Sequence, residues 1–181
     1  KKKKIKIFSF EPSTSNLRTL SRNVSINKLQ KNVFIIPFAL SNSKNKLLQL
    51  KEKQFTEGGA LNAFGVKYDY SGKDFFVENS YNTFGTSIDD LIKKRILEIP
   101  NYIKIDVDGI EDLILIGAKN MLSNKKIKSV LIEINDKFSS QKKKIFKIMK
   151  KNNFKILSKS RNDFYYKNNF DGIYNYIFKR F

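Results

Sequence analysis

Pro100 to Leu122 reads PNYIKIDVDGIEDLILIGAKNML, and this stretch decides the fold class. Tyr102 to Asp106 predicts a short strand. Gly109 permits a tight turn after it. A helix then follows over Gly109 to Leu122. Its Ile110, Leu113, Ile114, Gly117, Ala118 and Met121 fall at i, i+3, i+4, i+7, i+8 and i+11, one helical face. Gly117 and Ala118 allow that face to approach a sheet closely. Lys128 to Ile134 (KSVLIEI) predicts the next strand, which closes a βαβ unit.

The same alternation extends outward on both sides. Ile5 to Phe10 (IKIFSF) predicts a strand, ended by Glu11-Pro12 because proline cannot donate to a ladder. Ser13, Thr14 and Ser15 offer capping oxygens. Leu17, Leu20 and Val24 then predict a helix to about Asn27. Val33 to Leu40 predicts a second strand, against which Pro37 is a mild objection, and Lys46 to Lys51 a third. Thr86 or Ser87 caps a helix with Ile88, Leu91, Ile92 and Ile96 inward. Ser139 to Lys151 is a basic amphipathic helix. Phe154 to Ser158 and Tyr174 to Lys179 predict two final strands paired antiparallel. The reading is an α/β fold, one domain over 1–181, with a mostly parallel sheet and a C-terminal antiparallel hairpin. Residues 55–85, rich in Gly and aromatics, read as an insertion or lid of loops and strand fragments.

Composition narrows the chemistry. The 181 residues contain no His, Cys or Trp. That excludes disulfide frameworks, thiolate or histidine metal sites, and His-dependent triads. No apolar run reaches a membrane-spanning length and no secretory signal opens the chain. These features give a cytoplasmic expectation. Net charge is +19, from 36 Lys and Arg against 17 Asp and Glu. Arginine supplies 5 of those cations and lysine 31, whereas specific nucleic-acid readers favour the arginine fork. Lys, Asn, Ile and Phe make up 88 residues and Ala only 4, the composition of AT-rich coding sequence.

In open α/β sheets, ligands sit at the carboxyl ends of strands. Acids gather there: Glu11 after the first strand, then Asp106, Asp108 and Glu111, then Glu133 and Asp136. A carboxylate in the place of Glu11 can bind the vicinal hydroxyls of a ribose, or simply face a helix dipole. Asp106 and Glu111 suit a general base, an acceptor-orienting pair, or oxygen ligands for a divalent cation. Asp108 and Glu111 also have the form of a capping box.

FSFEPSTSNLRTLSRNVSIN, PFALSN, TSIDDLI, PNYIKIDVDGIEDLILIGAKNML, SVLIEIN and the terminal NYIFKR together resemble the FkbM-type methyltransferases. The resemblance covers most of 7–135. It implies a Rossmann-like class I fold and S-adenosylmethionine as cofactor. The implied activity is O-methylation of a hydroxyl on a sugar or small metabolite, hence a small-molecule or glycan acceptor. It implies that Glu11 binds the cofactor ribose, that Ala39, Leu40 and Ser41 lie near the adenine, and that Asp106 borders the methyl group and acceptor. Asp106 is expected as the base, with Glu111 or Glu133 orienting the acceptor, and no metal. The family opens on a strand and a Gly-rich turn of D-x-G-A-N-x-G type, and no such turn precedes FSFEPS. In the family's topology that strand lies between the strands ending at Phe10 and Asp106. The expectation is therefore the C-terminal part of a longer methyltransferase. Two rival readings have their own sequence support. Asp106-Val-Asp108 is formally the DxD of a metal-dependent nucleotide-sugar glycosyltransferase. Tyr165-Tyr166-Lys167 and the basic helix at 142–151 would serve a non-enzymatic nucleic-acid-binding module.

Overall fold

The computed structural model describes residues 5–74, 76–161 and 171–181. The Tyr165-Tyr166-Lys167 segment lies outside them. β1 (Ile7–Phe10) and β2 (Val33–Ile36) pair in parallel, linked by α1 (Thr14–Ile26). Ser13 caps α1 by accepting the Asn16 N–H at 3.4 Å. The strand expected through Leu40 breaks at Pro37, which has no N–H for the ladder. Ala39–Leu40 becomes β3 and joins a second sheet with β4 (Lys46–Glu52), β5 (Asn62–Phe64) and β6 (Asn79–Thr86). That sheet has the order β3-β6-β4-β5. Phe38 couples the two sheets, with its ring 6.0 Å from Phe10 and 5.6 Å from Phe84.

The region read as irregular thus ends in an eight-residue strand. β6 pairs with β4 from Lys46↔Gly85 to Glu52↔Asn79. Its NSYNTFGT sequence mixes strand-favouring Tyr81, Thr83, Phe84 and Thr86 with Asn, Ser and Gly, and the ladder with β4 settles it as a strand.

α2 (Ile88–Lys93), capped by Ser87, leads to the third sheet. This is built from β7 (Tyr102–Ile105), β8 (Ser129–Asn135), β9 (Phe154–Ser160) and β10 (Ile173–Arg180), ordered β7-β8-β10-β9. α3 (Glu111–Ile116) and α4 (Lys119–Leu122) join β7 to β8, and α5 (Ser139–Lys151) follows β8. The single helix expected over 109–122 is therefore two. α3 ends at Gly117, which lies against Ser41 so closely that a Cβ would overlap the Ser41 carbonyl. Val130, Ile132 and Ile134 of β8 bury one face against Ile114, Ile145 and Met149. Each such side chain contributes about 1.5–3 kcal/mol.

The final hairpin pairs antiparallel as expected, but the mostly parallel sheet does not hold. Three pairs are parallel (β1/β2, β3/β6, β7/β8) and four antiparallel (β4/β5, β4/β6, β8/β10, β9/β10). β5 and β6 both pair antiparallel with β4, and β10 runs against both of its neighbours. No helix among the described residues is long and apolar enough to cross a membrane.

Candidate functional site

Glu11 leaves the end of β1 and folds back on α1, where its Oε1 accepts the Ser13 N–H at 2.8 Å. Burial pushes its carboxyl above the ordinary range. The Ser13 N–H and the Asn16 amide pull it down, while the Glu52 and Asp108 carboxylates push it up. Those two acids reach Glu11 from different elements. Glu52 ends β4 and is 1% exposed, holding the Asn79 amide at 2.8 Å. Asp108 follows β7. Its Oδ2 accepts the Asn62 N–H at 2.9 Å, and the Leu61 N–H adds a second bond. Leu61 has φ 67°, the left-handed conformation that lets consecutive N–H groups converge on one anion. Burial nevertheless raises Asp108 above the usual carboxylate range, with Asp106 and Asp69 adding to it.

Residues 52–62 therefore form a strap between the ends of β1 and β7. Gly59 O accepts from Asn16 Nδ2 at 2.9 Å, and Glu57 accepts from Thr19 Oγ1 at 3.2 Å. The Tyr81 hydroxyl accepts the Thr14 N–H at 2.8 Å and lies 3.4 Å from Glu52 Oε1. The cluster is rich in acceptors. Besides its three carboxylates, the amide oxygens of Asn16 and Asn62 are buried with no hydrogen-bond partner.

A second part of the insertion clasps the 106–111 turn. Gly109 has φ 104°, and a Cβ there would stand 2.6 Å from Asp69 O. Only glycine fits. Asn135 Nδ2 donates to Tyr70 O at 3.2 Å. Behind the turn, Glu111 is 3% exposed. Its Oε1 accepts from Gly109 N–H at 3.3 Å and its Oε2 from Gln141 Nε2 at 2.8 Å. Gln141 also donates to Gly109 O at 2.6 Å. Desolvation pushes the Glu111 carboxyl up to about 8, against those bonds. Asp106 is exposed on the rim and paired with Lys104 at 2.7 Å.

The chain matches the methyltransferase FkbM domain over residues 1–156. It belongs to the FkbM methyltransferase family. The crystal structure of methyltransferase FkbM from Methylobacillus flagellatus KT superposes with a TM-score of 0.61 at 16% identity. The match covers 96% of this chain and 36% of that one, so the chain spans about a third of that protein's length. No curated protein sequence matches.

Within this FkbM domain Glu111 stands apart behind the turn, and the other expected site residues fall into three groups. Glu11 and Asp108 are joined through the strap. Asp106 and Glu133 share a rim: Ile105 pairs with Ile132 in parallel, so the next residues continue side by side on one face. Ala39, Leu40 and Ser41 lie in and after β3. There Ala39 and Ser41 are each 3% exposed, and Ser41 bonds Thr86 O and Ser43. Asp106 and Asp108 engage different partners, Lys104 and the Asn62 N–H. Among the described residues no three acids are grouped to hold a metal.

Glu52, Asn16, Asn62 and Gln141 escaped the sequence reading. Two left a signal. Glu52 shares the alternating β4 face of Leu48 and Leu50, an acid at a buried position. Gln141 precedes Ile145 and Met149 on the buried stripe of α5, a polar group where an apolar one belongs.

Proposed function

We propose that this FkbM domain transfers a methyl group from S-adenosylmethionine to a hydroxyl of a sugar or small metabolite. The observation that carries the reading is the cluster at the ends of β1 and β7. Glu11, Glu52 and Asp108 lie there with two buried amide oxygens that lack donors. S-adenosylmethionine bears a sulfonium, an ammonium and two ribose hydroxyls, which are the positive charges and donors such a cluster lacks. Glu11 would hold the ribose, and the cofactor supplies an electrophilic methyl group. The methionine end calls for a Gly-rich strand–helix turn, and residues 1–10 contain none. The parallel pairs β1/β2 and β7/β8 support a Rossmann-like arrangement.

Asp106 is the proposed base. It is the exposed acid of the rim, able to take an acceptor's hydroxyl proton, and it pairs with Lys104 at 2.7 Å. Glu133 beside it would orient the acceptor. Glu111 lies behind the turn and positions it through Gly109 and Gln141. The test is transfer of labelled methyl from S-adenosylmethionine to a panel of sugars and polyols by the full-length protein. Asp106→Asn should lower turnover by about a hundredfold while leaving cofactor affinity unchanged. Turnover within about threefold of the parent removes Asp106 from the mechanism.

A further inference from the structure

Unpaired lysines gather at one end of the β7-β8-β10-β9 sheet, and most of the sheet's acids at the other. Near the carboxyl ends of β7 and β8, five lysines have acid partners. Lys104 pairs with Asp106, Lys137 with Asp171, Lys144 with Asp112, and Lys142 and Lys159 both with Asp136. At the other end, Lys125, Lys128, Lys151 and Lys179 line a cleft of about 670 Å³. Neither these four nor Lys155 has a salt-bridge acid among the described residues.

Two features set this end apart from an ordinary solvated edge. Lys155 and Lys179 stand directly opposite each other on β9 and β10, a like-charge pair that destabilises a ladder. Both ammonium groups lie over the ring of Phe181, at 6.0 and 5.3 Å, and that residue is 77% exposed. The helix dipole accounts for Lys151 in the last turn of α5. It does not account for lysines on strands.

We infer that this end is a docking surface for an anionic phospholipid bilayer, with the lysines among headgroup phosphates and Phe181 at the acyl boundary. Lysine ammoniums are hydrated point charges suited to a diffuse negative field. The arginine in the cleft is not available as a phosphate fork: Arg180 donates to the carbonyls of Leu122, Asn124 and Asn152. An exposed aromatic flanked by lysines is an interfacial pattern. The charge segregation also sets an orientation. A negative leaflet attracts the lysine end and repels the acidic rim, which the length of β10 holds about 25 Å away. This inference does not depend on the methyl-transfer reading.

Co-sedimentation of the full-length protein with phosphatidylcholine vesicles, with and without about 30 mol% phosphatidylglycerol, tests it at about 0.1 M salt. Binding should require phosphatidylglycerol and weaken steeply as salt is raised. The double variant K155Q/K179Q should bind about thirtyfold more weakly, about fivefold per lysine, with an unchanged or raised melting temperature. The same charge change on the far rim, K67Q/K73Q, should cost less than about threefold. Equal loss in both double variants, equal binding without phosphatidylglycerol, or no binding overturns the inference. So does tighter binding to duplex or single-stranded DNA at the same salt, which would reassign the surface to nucleic acid.

Discussion

Glu111 makes the stability of this domain fall as pH rises. The carboxyl is 3% exposed, and desolvation lifts it from an unfolded value of 4.5 to about 8. Between those values the folded chain keeps a proton that the unfolded chain releases. The unfolded state therefore binds fewer protons, and stability declines by about 1.4 kcal/mol per pH unit for this one group. Across the window the loss is on the order of 5 kcal/mol, comparable to the whole stability of many domains. The perturbation is Glu111→Gln, which cannot ionise. An amide can accept only one of the two N–H bonds from Gly109 and Gln141, so a pH-independent cost of about 1–2 kcal/mol is expected. The slope is the readout. Urea unfolding of parent and variant at several pH values from 5 to 9 gives the difference, in which titrating groups distant from Glu111 cancel. That difference should shift in the variant's favour from about pH 5 and level off above about pH 8. A flat difference would mean that the two N–H bonds outweigh desolvation and hold Glu111 ionised, and the reasoning fails.

Gly109→Ala forces a side chain into the left-handed region and against Asp69 O, so it should destabilise by at least about 2 kcal/mol in thermal unfolding. A melting temperature equal to the parent's would show that the clasp between the insertion and the turn is loose. Replacing residues 66–74 with a short Gly-Ser linker should lower acceptor turnover and leave S-adenosylhomocysteine affinity intact, because this part of the insertion covers the 106–111 turn and not Glu11. Unchanged turnover would deny it a role as a cover.

The strong periodicities carried most of the architecture. The α5 stripe and the strand–turn–helix at 102–116 form where the pattern put them, because burial at fixed spacing leaves little choice. The weak patterns failed for identifiable reasons. Proline split Val33 to Leu40 between two sheets. Contact between Gly117 and Ser41, 76 positions apart in the chain, cut a helix that looked continuous. The strand β6 mixes strand formers with Asn, Ser and Gly, so its signal is weak, and β4 supplies the partners for its N–H and C=O groups. The same division holds at the site. Glu11, Asp106, Asp108 and Glu111 were visible because strand ends announce themselves. The strap's contribution through Glu52, Asn62 and Gly59 depends on a fold-back that local pattern does not encode. The burial of Glu111 was also hidden, since its capping-box spacing suggests a surface acid, yet Gln141 from α5 seals it.

The most direct test of the cofactor assignment is calorimetric titration of S-adenosylhomocysteine into the full-length protein and its Glu11→Ala variant. The account predicts binding by the parent and a loss of about ten- to hundredfold in the variant, the worth of charge-assisted bonds to two hydroxyls. Equal affinity in the two proteins, or no binding by the parent, would contradict it.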